Sequence, residues 1–303
     1  MKPQNFIQLL VLAALWGASF LFIRVGVSEF SATPLATLRI AIGAACLLGM
    51  LIFRHFHKRT LRETFGVLGS RAIPLTVVGI LNSAAPFCLF AYAELTLSAG
   101  ATSIFNATTP MWSALIAVFW LKDRLSALRL TGLALGFIGV LIIVWDQIAT
   151  PAHSLWQATL AILAAIGASL LYGVAANYTK RYLRGVDALT LAAGSMSGAT
   201  VVLLPFAVAT WPAAPVSLQA WGAIIALGIA CTGIGFAMYF HLLNIVGPVQ
   251  ATTVTFVVPI FGMLWGALFL DEHVSSTMVE GCAVVLIGTA LASGLIKRIG
   301  WQR

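Results

Sequence analysis

Apolar residues in this chain collect into ten long stretches, at about 6–27, 34–53, 73–94, 98–121, 127–145, 156–179, 188–209, 218–241, 247–270 and 277–296. Each is close to the ~20 residues that a helix needs to cross the hydrocarbon core of a bilayer. The connections are short. The longest is the basic segment from Arg54 to Ala72, and none has room for a soluble domain. The pattern predicts an all-α polytopic membrane protein of ten transmembrane helices.

One stretch occurs twice. Leu97 to Ser126 and Val246 to Ser275 are each an apolar span with a proline near the middle, closed by a short charged triplet and a Ser. Shifted by 149 positions, Pro110 falls on Pro259, Leu121 on Leu270 and Ser126 on Ser275. At the same offset Gly79, Ile80 and Phe87 fall on Gly228, Ile229 and Phe236, and Gly132 and Gly139 on Gly281 and Gly288. Residues 1–148 and 149–303 therefore read as two repeats of five spans. Because five is odd, the second must enter the membrane from the opposite side. Inverted repeats around a central, midplane site are a recurrent design of secondary transporters.

Composition strengthens the membrane reading. The chain has 303 residues, 60% hydrophobic and 9% charged, with mean hydropathy +1.00; soluble chains carry about 25% charged residues. The net charge of +8 sits between spans, with no basic stripe interleaved with aromatics, so it sets topology and nucleic acid is not an expected partner. With the N-terminus in the cytoplasm, fifteen of the seventeen Lys and Arg fall on inside segments, and an even span count puts both termini there. The exceptions are Arg24 and Arg39, inside spans 1 and 2. The four cysteines all lie in apolar spans without metal-ligand spacing and read as small buried hydrophobes. Met1 to Ile23 reads as an uncleaved first span.

Several short motifs carry a family resemblance. They are Trp16-Gly17-Ala18-Ser19 in span 1, Leu38-Arg39 in span 2, and the endings Leu121-Lys122-Asp123-Arg124-Leu125-Ser126 and Leu270-Asp271-Glu272-His273-Val274-Ser275, followed by the paired glycines. In this order, over ten spans, the chain resembles the drug/metabolite transporter superfamily, and within it the EamA type. The resemblance implies a small-metabolite carrier of a bacterial inner membrane, often an exporter of amino acids. It also implies a basket in which spans 1, 3, 4, 6, 8 and 9 surround a central cavity, with spans 5 and 10 peripheral.

Proline arithmetic suggests where chemistry could sit. A proline lacks the N–H and crowds the carbonyl four residues earlier. Pro86, Pro110 and Pro259 thus act on Asn82, Asn106 and Thr255, as helix hinges. All three lie roughly 12–14 Å from a span end, near the midplane. Such backbone is tolerated only against protein or a watery cavity; the alternative is a kink satisfied by Ser and Thr neighbours. Thr102, Asn106, Thr109 and Ser113 lie on one helical face, toward a cavity or a neighbouring helix. Trp16, Tyr172, Phe236 and Tyr239 sit at depth on spans that the resemblance places at the cavity, and Trp112 and Trp265 flank the prolines. The candidate substrate-binding set is Trp16, Asn82, Thr102, Asn106, Trp112, Tyr172, Thr232, Phe236, Tyr239 and Thr255. Arg24, Glu29, Arg39 and Glu94 cluster at the outer side and suggest an ion-pair gate or a lure for a carboxylate; the alternative is snorkelling to headgroups.

No Asp or Glu lies deep in a predicted span, and no phosphate-binding loop, metal cluster or catalytic constellation stands out, so no cofactor or metal is expected. The sequence predicts a non-enzymatic, alternating-access exporter of a small metabolite, most simply an amino acid, whose partners are that substrate and the bilayer and for which a monomer suffices. The alternatives are a broad drug exporter and, from another class, an intramembrane enzyme or a scaffold.

Overall fold

The computed structural model describes residues 3–55, 60–123, 126–149 and 154–294. Among them every regular element is helical. In order these are α1 (Pro3–Phe30), α2 (Ala32–His55), α3 (Thr60–Ser70), α4 (Ala72–Gly79), α5 (Ala85–Ala93), α6 (Ala99–Asn106), α7 (Thr109–Leu121), α8 (Ala127–Ala149), α9 (Leu155–Tyr182), α10 (Ala188–Ala209), α11 (Leu218–Ala226), α12 (Gly235–Ala251), α13 (Val254–Phe269) and α14 (Ser276–Ala292). Two π-helical segments, Ile80–Ala84 and Leu227–Ile234, join α4 to α5 and α11 to α12.

Eight helical stretches are long and apolar enough to cross a bilayer. The apolar helices α13 and α14 are shorter, at 16 and 17 residues. The shortfall has a local cause. The expected ninth span, 247–270, is interrupted: its first residues form a short helical piece set off from the body of α12 by non-helical backbone at Gly247 (φ 80°, ψ 167°), and a turn at Thr252 and Thr253 precedes α13. The end of the expected tenth span, 295–296, lies outside the described residues, as do Lys2, Lys58, Arg59, Arg124, Lys297, Arg298 and Arg303. The basic connection from Arg54 to Ala72 contains α3. Leu68 of α3 packs with Leu75 and Val78 of α4 and Leu183 beyond α9.

Large apolar side chains point outward all round the bundle, among them Phe53, Ile73, Phe119 and Leu218. Such a surface fits lipid and not water. Inside, small residues let the helices approach closely. The α8–α14 pair is antiparallel, and its glycines exchange partners. A Cβ on Gly132 would meet Gly288 and Ala292, and one on Gly139 would meet Gly281 and Val285. Interfaces of this kind are held by van der Waals packing between backbones. α2 packs on α10, α1 on α13, and α9 on α5 and α7.

The two charged triplets end their helices alike. Lys122 (φ 57°) after α7 and Asp271 (φ 53°) after α13 both turn left-handed. Ser126 and Ser275 then accept hydrogen bonds from Arg129 N (3.4 Å) and Met278 N (3.0 Å), at the first turns of α8 and α14.

Candidate functional site

The fourth span is broken rather than bent. α6 ends at Asn106 and α7 begins at Thr109, with Pro110 in its first turn, where a missing N–H costs nothing. The freed carbonyls are taken up by hydroxyls. Thr109 Oγ1 donates to Asn106 O (2.8 Å), while Thr108 Oγ1 (2.6 Å) and Ser169 Oγ (2.7 Å) donate to Phe105 O. The Asn106 carbonyl is thus spoken for within the protein, while its carboxamide has no hydrogen-bond partner among the described residues. In the second copy the break comes earlier, at Thr252 and Thr253. Pro259 stays inside α13, and Thr255 Oγ1 donates to Thr252 O (2.8 Å). The two prolines are sequence partners without being structural ones.

Pro86 lies in the first turn of α5, directly after the π-helical segment Ile80–Ala84. Shifted by 149, that segment falls within the other, Leu227–Ile234. Each inserts a wider turn, and such turns recur at functional sites. They place Asn82 and Cys231 toward the same space.

That space is a cavity of about 690 Å³, within the range of small-molecule sites. It is bordered by Trp16, Ser19, Phe20 and Ile23 of α1, Arg39 of α2, Phe87 and Phe90 of α5, Asn106, Thr109, Pro110 and Ser113 around the break, and Tyr172 and Ala176 of α9. Phe236 and Tyr239 of α12 and Thr255, Phe256 and Val258 of α13 complete it. Trp16 makes ring contacts with Phe236 (6.0 Å) and Tyr239 (5.4 Å), so these three form one aromatic wall. Of the candidate substrate-binding residues, Trp16, Asn82, Asn106, Tyr172, Phe236, Tyr239 and Thr255 border the cavity.

Three candidates do not. Thr102 is fully buried and donates to Ser98 O (3.0 Å); Asn106, Thr109 and Ser113 border the cavity together across the break, and Thr102, one turn earlier on α6, is the member of the expected stripe that does not. Trp112 turns away, with its ring on Phe137 (5.4 Å) and its Nε1 donating to Thr108 Oγ1 (3.1 Å). Thr232 is also fully buried. It donates to Leu227 O (2.9 Å) and accepts from Arg39 Nε (3.2 Å).

The expected ion-pair gate takes a different form. Among the described residues the ion pairs are Arg54–Asp187 (3.4 Å) and Lys180–Asp123 (3.7 Å), both well exposed. Arg24 donates to the main-chain carbonyl of Glu94, not to its carboxylate. Glu29 accepts from Ser217 N (2.7 Å) and Oγ (2.6 Å), and so holds the start of α11. Glu94 is fully buried, and neither carboxylate oxygen has a hydrogen-bond partner among the described residues. Arg39, 8% exposed, reaches inward and lies over the Phe87 ring, 3.8 Å from its centroid. Expected in an outer gate or as a lure for a carboxylate, it borders the cavity.

The cavity is lopsided along the bundle. At one end it reaches Arg129, near the start of α8, and Ser293 and Gly294, after α14. Arg54, Arg71, Lys122 and Lys180 lie at that same end by helix order. Toward the other end its farthest lining residues are Ile23, seven residues short of the end of α1, and Phe90, three short of the end of α5. There Glu272 accepts from Ala99 N (2.8 Å) and Gly100 N (3.3 Å) at the start of α6, and Ser275 Oγ donates to Asp146 (2.6 Å).

The model of the EamA-like transporter family matches residues 5–145 and 159–294. The chain belongs to that family. Among EamA-like relatives, a Bacillus subtilis (strain 168) protein named as an uncharacterized transporter, YoaV, is 22% identical over 90% of this chain and 91% of its own. A Streptantibioticus cattleyicolor protein named as a probable terminal-alkyne amino-acid exporter is 24% identical over 96% of this chain and 94% of its own. An Escherichia coli (strain K12) protein named as a probable amino-acid metabolite efflux pump is 20% identical, over 95% and 94%. These names are those of transporters rather than enzymes. A solved crystal structure at 18% identity matches the fold with a TM-score of 0.65, covering 98% of this chain and 100% of that one.

Sequence reasoning missed Arg129 and the phenylalanines of α5 as cavity residues. Arg39, an arginine in the second turn of an apolar span, carried a usable signal, since intramembrane charge is functional by default.

Proposed function

We propose that this protein exports a small amphipathic metabolite, most simply an amino acid, across the cell inner membrane by alternating access. The observation that carries this reading is the central cavity, which joins two carboxamides, Asn82 and Asn106, to an aromatic wall and reaches only one end of the bundle. Neither carboxamide has a hydrogen-bond partner among the described residues, so both are available to a polar ligand. The aromatic wall suits its apolar part. The relatives named as amino-acid exporters support the choice of substrate class.

Residues 1–148 and 149–303 act in this reading as inverted five-helix repeats, giving ten membrane helices. The two family-matched segments, the paired π-helical segments, the left-handed turns at Lys122 and Asp271 and the exchanged glycines of α8 and α14 all support it. With both termini in the cytoplasm, as the Lys and Arg distribution favours, the cavity faces the cytoplasm. Glu272, Asp146, Glu29 and the Arg24–Glu94 contact then form the outer seal. Rocking of one repeat against the other would exchange the open and sealed ends. The monomer contains the whole cavity and is taken as the working unit.

Reconstituted vesicles loaded with a panel of amino acids test the reading. Efflux of at least one member above empty vesicles is expected, and Asn106→Ala should reduce it about tenfold, the scale of lost polar contacts to a bound ligand. Flux of every member equal to that of empty vesicles overturns the proposal.

A further inference from the structure

We infer that Arg39 is the anchor for a carboxylate of the transported molecule, so that the cavity selects organic acids and zwitterions over simple amines. Arg39 has this role only if the cavity is the transport site proposed above.

The Arg39 guanidinium is held from two sides. Its face lies on Phe87, with Cζ 3.8 Å from the ring centroid, and its Nε donates to Thr232 Oγ1 (3.2 Å). Thr232 is itself fixed, because its hydroxyl donates to Leu227 O, five residues back, inside the π-helical segment. The wider turn that sequence patterning does not reveal is thus what aims the arginine. This leaves the two Nη groups, which have no acceptor among the described residues, on the cavity side. A guanidinium in so dry a place needs an anionic partner, and a planar carboxylate fits its remaining edge with two parallel hydrogen bonds.

Charge in the cavity runs one way. Among the described residues Arg39 and Arg129 are its charged lining residues, and no carboxylate lines it. Glu94, the buried carboxylate nearest in sequence to the α5 wall, forms no ion pair with Arg39 within 4.0 Å and does not border the space. An organic cation would therefore meet two like charges on the described wall and no carboxylate there. A zwitterion would place its carboxylate on Arg39, leaving its ammonium for the Asn82 and Asn106 carboxamide oxygens and its side chain for the Trp16, Phe236 and Tyr239 wall.

Matched ligands test the anchor. Purified full-length protein in detergent is titrated with L-phenylalanine, phenethylamine and 3-phenylpropionate, and with L-leucine, isopentylamine and 4-methylpentanoate, reading thermal stabilisation. The set is run on the wild type, Arg39→Gln and Arg39→Lys. Expected is binding of at least one carboxylate-bearing member, about 10- to 100-fold tighter than the matched amine, with the preference lost in Arg39→Gln and partly kept in Arg39→Lys. Amines that bind the wild type as tightly as their acids overturn the anchor and leave the transport cavity standing. So does an Arg39→Gln protein that keeps the full preference. Binding of no member to the wild type overturns both. The acid–amine comparison is made on the wild type, so poor folding of a variant does not obscure it.

Discussion

The guanidinium carbon of Arg39 lies 3.8 Å from the centre of the Phe87 ring, inside a cavity that reaches only one end of the bundle. A cation over an aromatic face gains about 0.5–2 kcal/mol, more as water is excluded. Phe87→Leu keeps an apolar side chain there and removes the ring. It should weaken binding of a carboxylate ligand severalfold and leave the amine series unchanged, as read by the same titrations. An equal loss for acids and amines would assign Phe87 to general packing.

Thr232 is expected to act through Arg39 and not on substrate. Thr232→Val keeps the shape and removes the oxygen that accepts from Arg39 Nε. Leaving a charged donor unpaired costs about 1–3 kcal/mol. The expected outcome is a lowered melting temperature and a reduced acid-over-amine preference, with both restored in Thr232→Ser.

Glu272 bridges the halves at the sealed end, accepting from Ala99 N and Gly100 N. A carboxylate at a helix N-terminus stabilises by about 1 kcal/mol. Glu272→Ala should therefore shift the balance toward the outward-open form by about fivefold. A reporter thiol at Ala176→Cys, on the cavity wall, with Cys46, Cys88, Cys231 and Cys282 replaced by serine, reads the shift. Labelling by a membrane-impermeant reagent from outside should rise in the Glu272→Ala protein. An unchanged outside rate would remove Glu272 from the seal.

The α8–α14 interface should be intolerant of bulk. A side chain on Gly288 would press into the backbone of Gly136, whereas one on Gly49 meets nothing within 4 Å. Gly288→Val is expected to destabilise by about 1–3 kcal/mol. Gly49→Ala, in a helix interior with open space, is expected to be neutral or mildly stabilising. Thermal unfolding in detergent separates the two.

Much of this fold is legible in the sequence because bilayer spans are set by long-range hydrophobicity, which survives local irregularity. The 149-residue echo also located features that recur in backbone form, such as the turns at Lys122 and Asp271 and the caps at Ser126 and Ser275. What escaped are local departures from the ideal helix. Face arguments assume 3.6 residues per turn without interruption. The wider turn at Leu227–Ile234 therefore turned Thr232 toward Arg39, while Thr102 lies off the cavity one turn before Asn106 on the same α6. Proline position alone did not say where a helix opens. Pro110 follows its break by two residues, while Pro259 sits within an unbroken α13. For Arg39, depth counted along the helix gives the outer end of its span, whereas its long side chain decides which space the charge occupies.

The most direct test of the central cavity as the substrate path is efflux from proteoliposomes, comparing the wild type with Asn82→Ala, Asn106→Ala and Arg39→Gln, each checked for folding by size-exclusion chromatography. For any amino acid that the wild type moves, the expected result is a loss of about tenfold or more in each variant. Undiminished efflux of that amino acid by all three folded variants would contradict the cavity as the site.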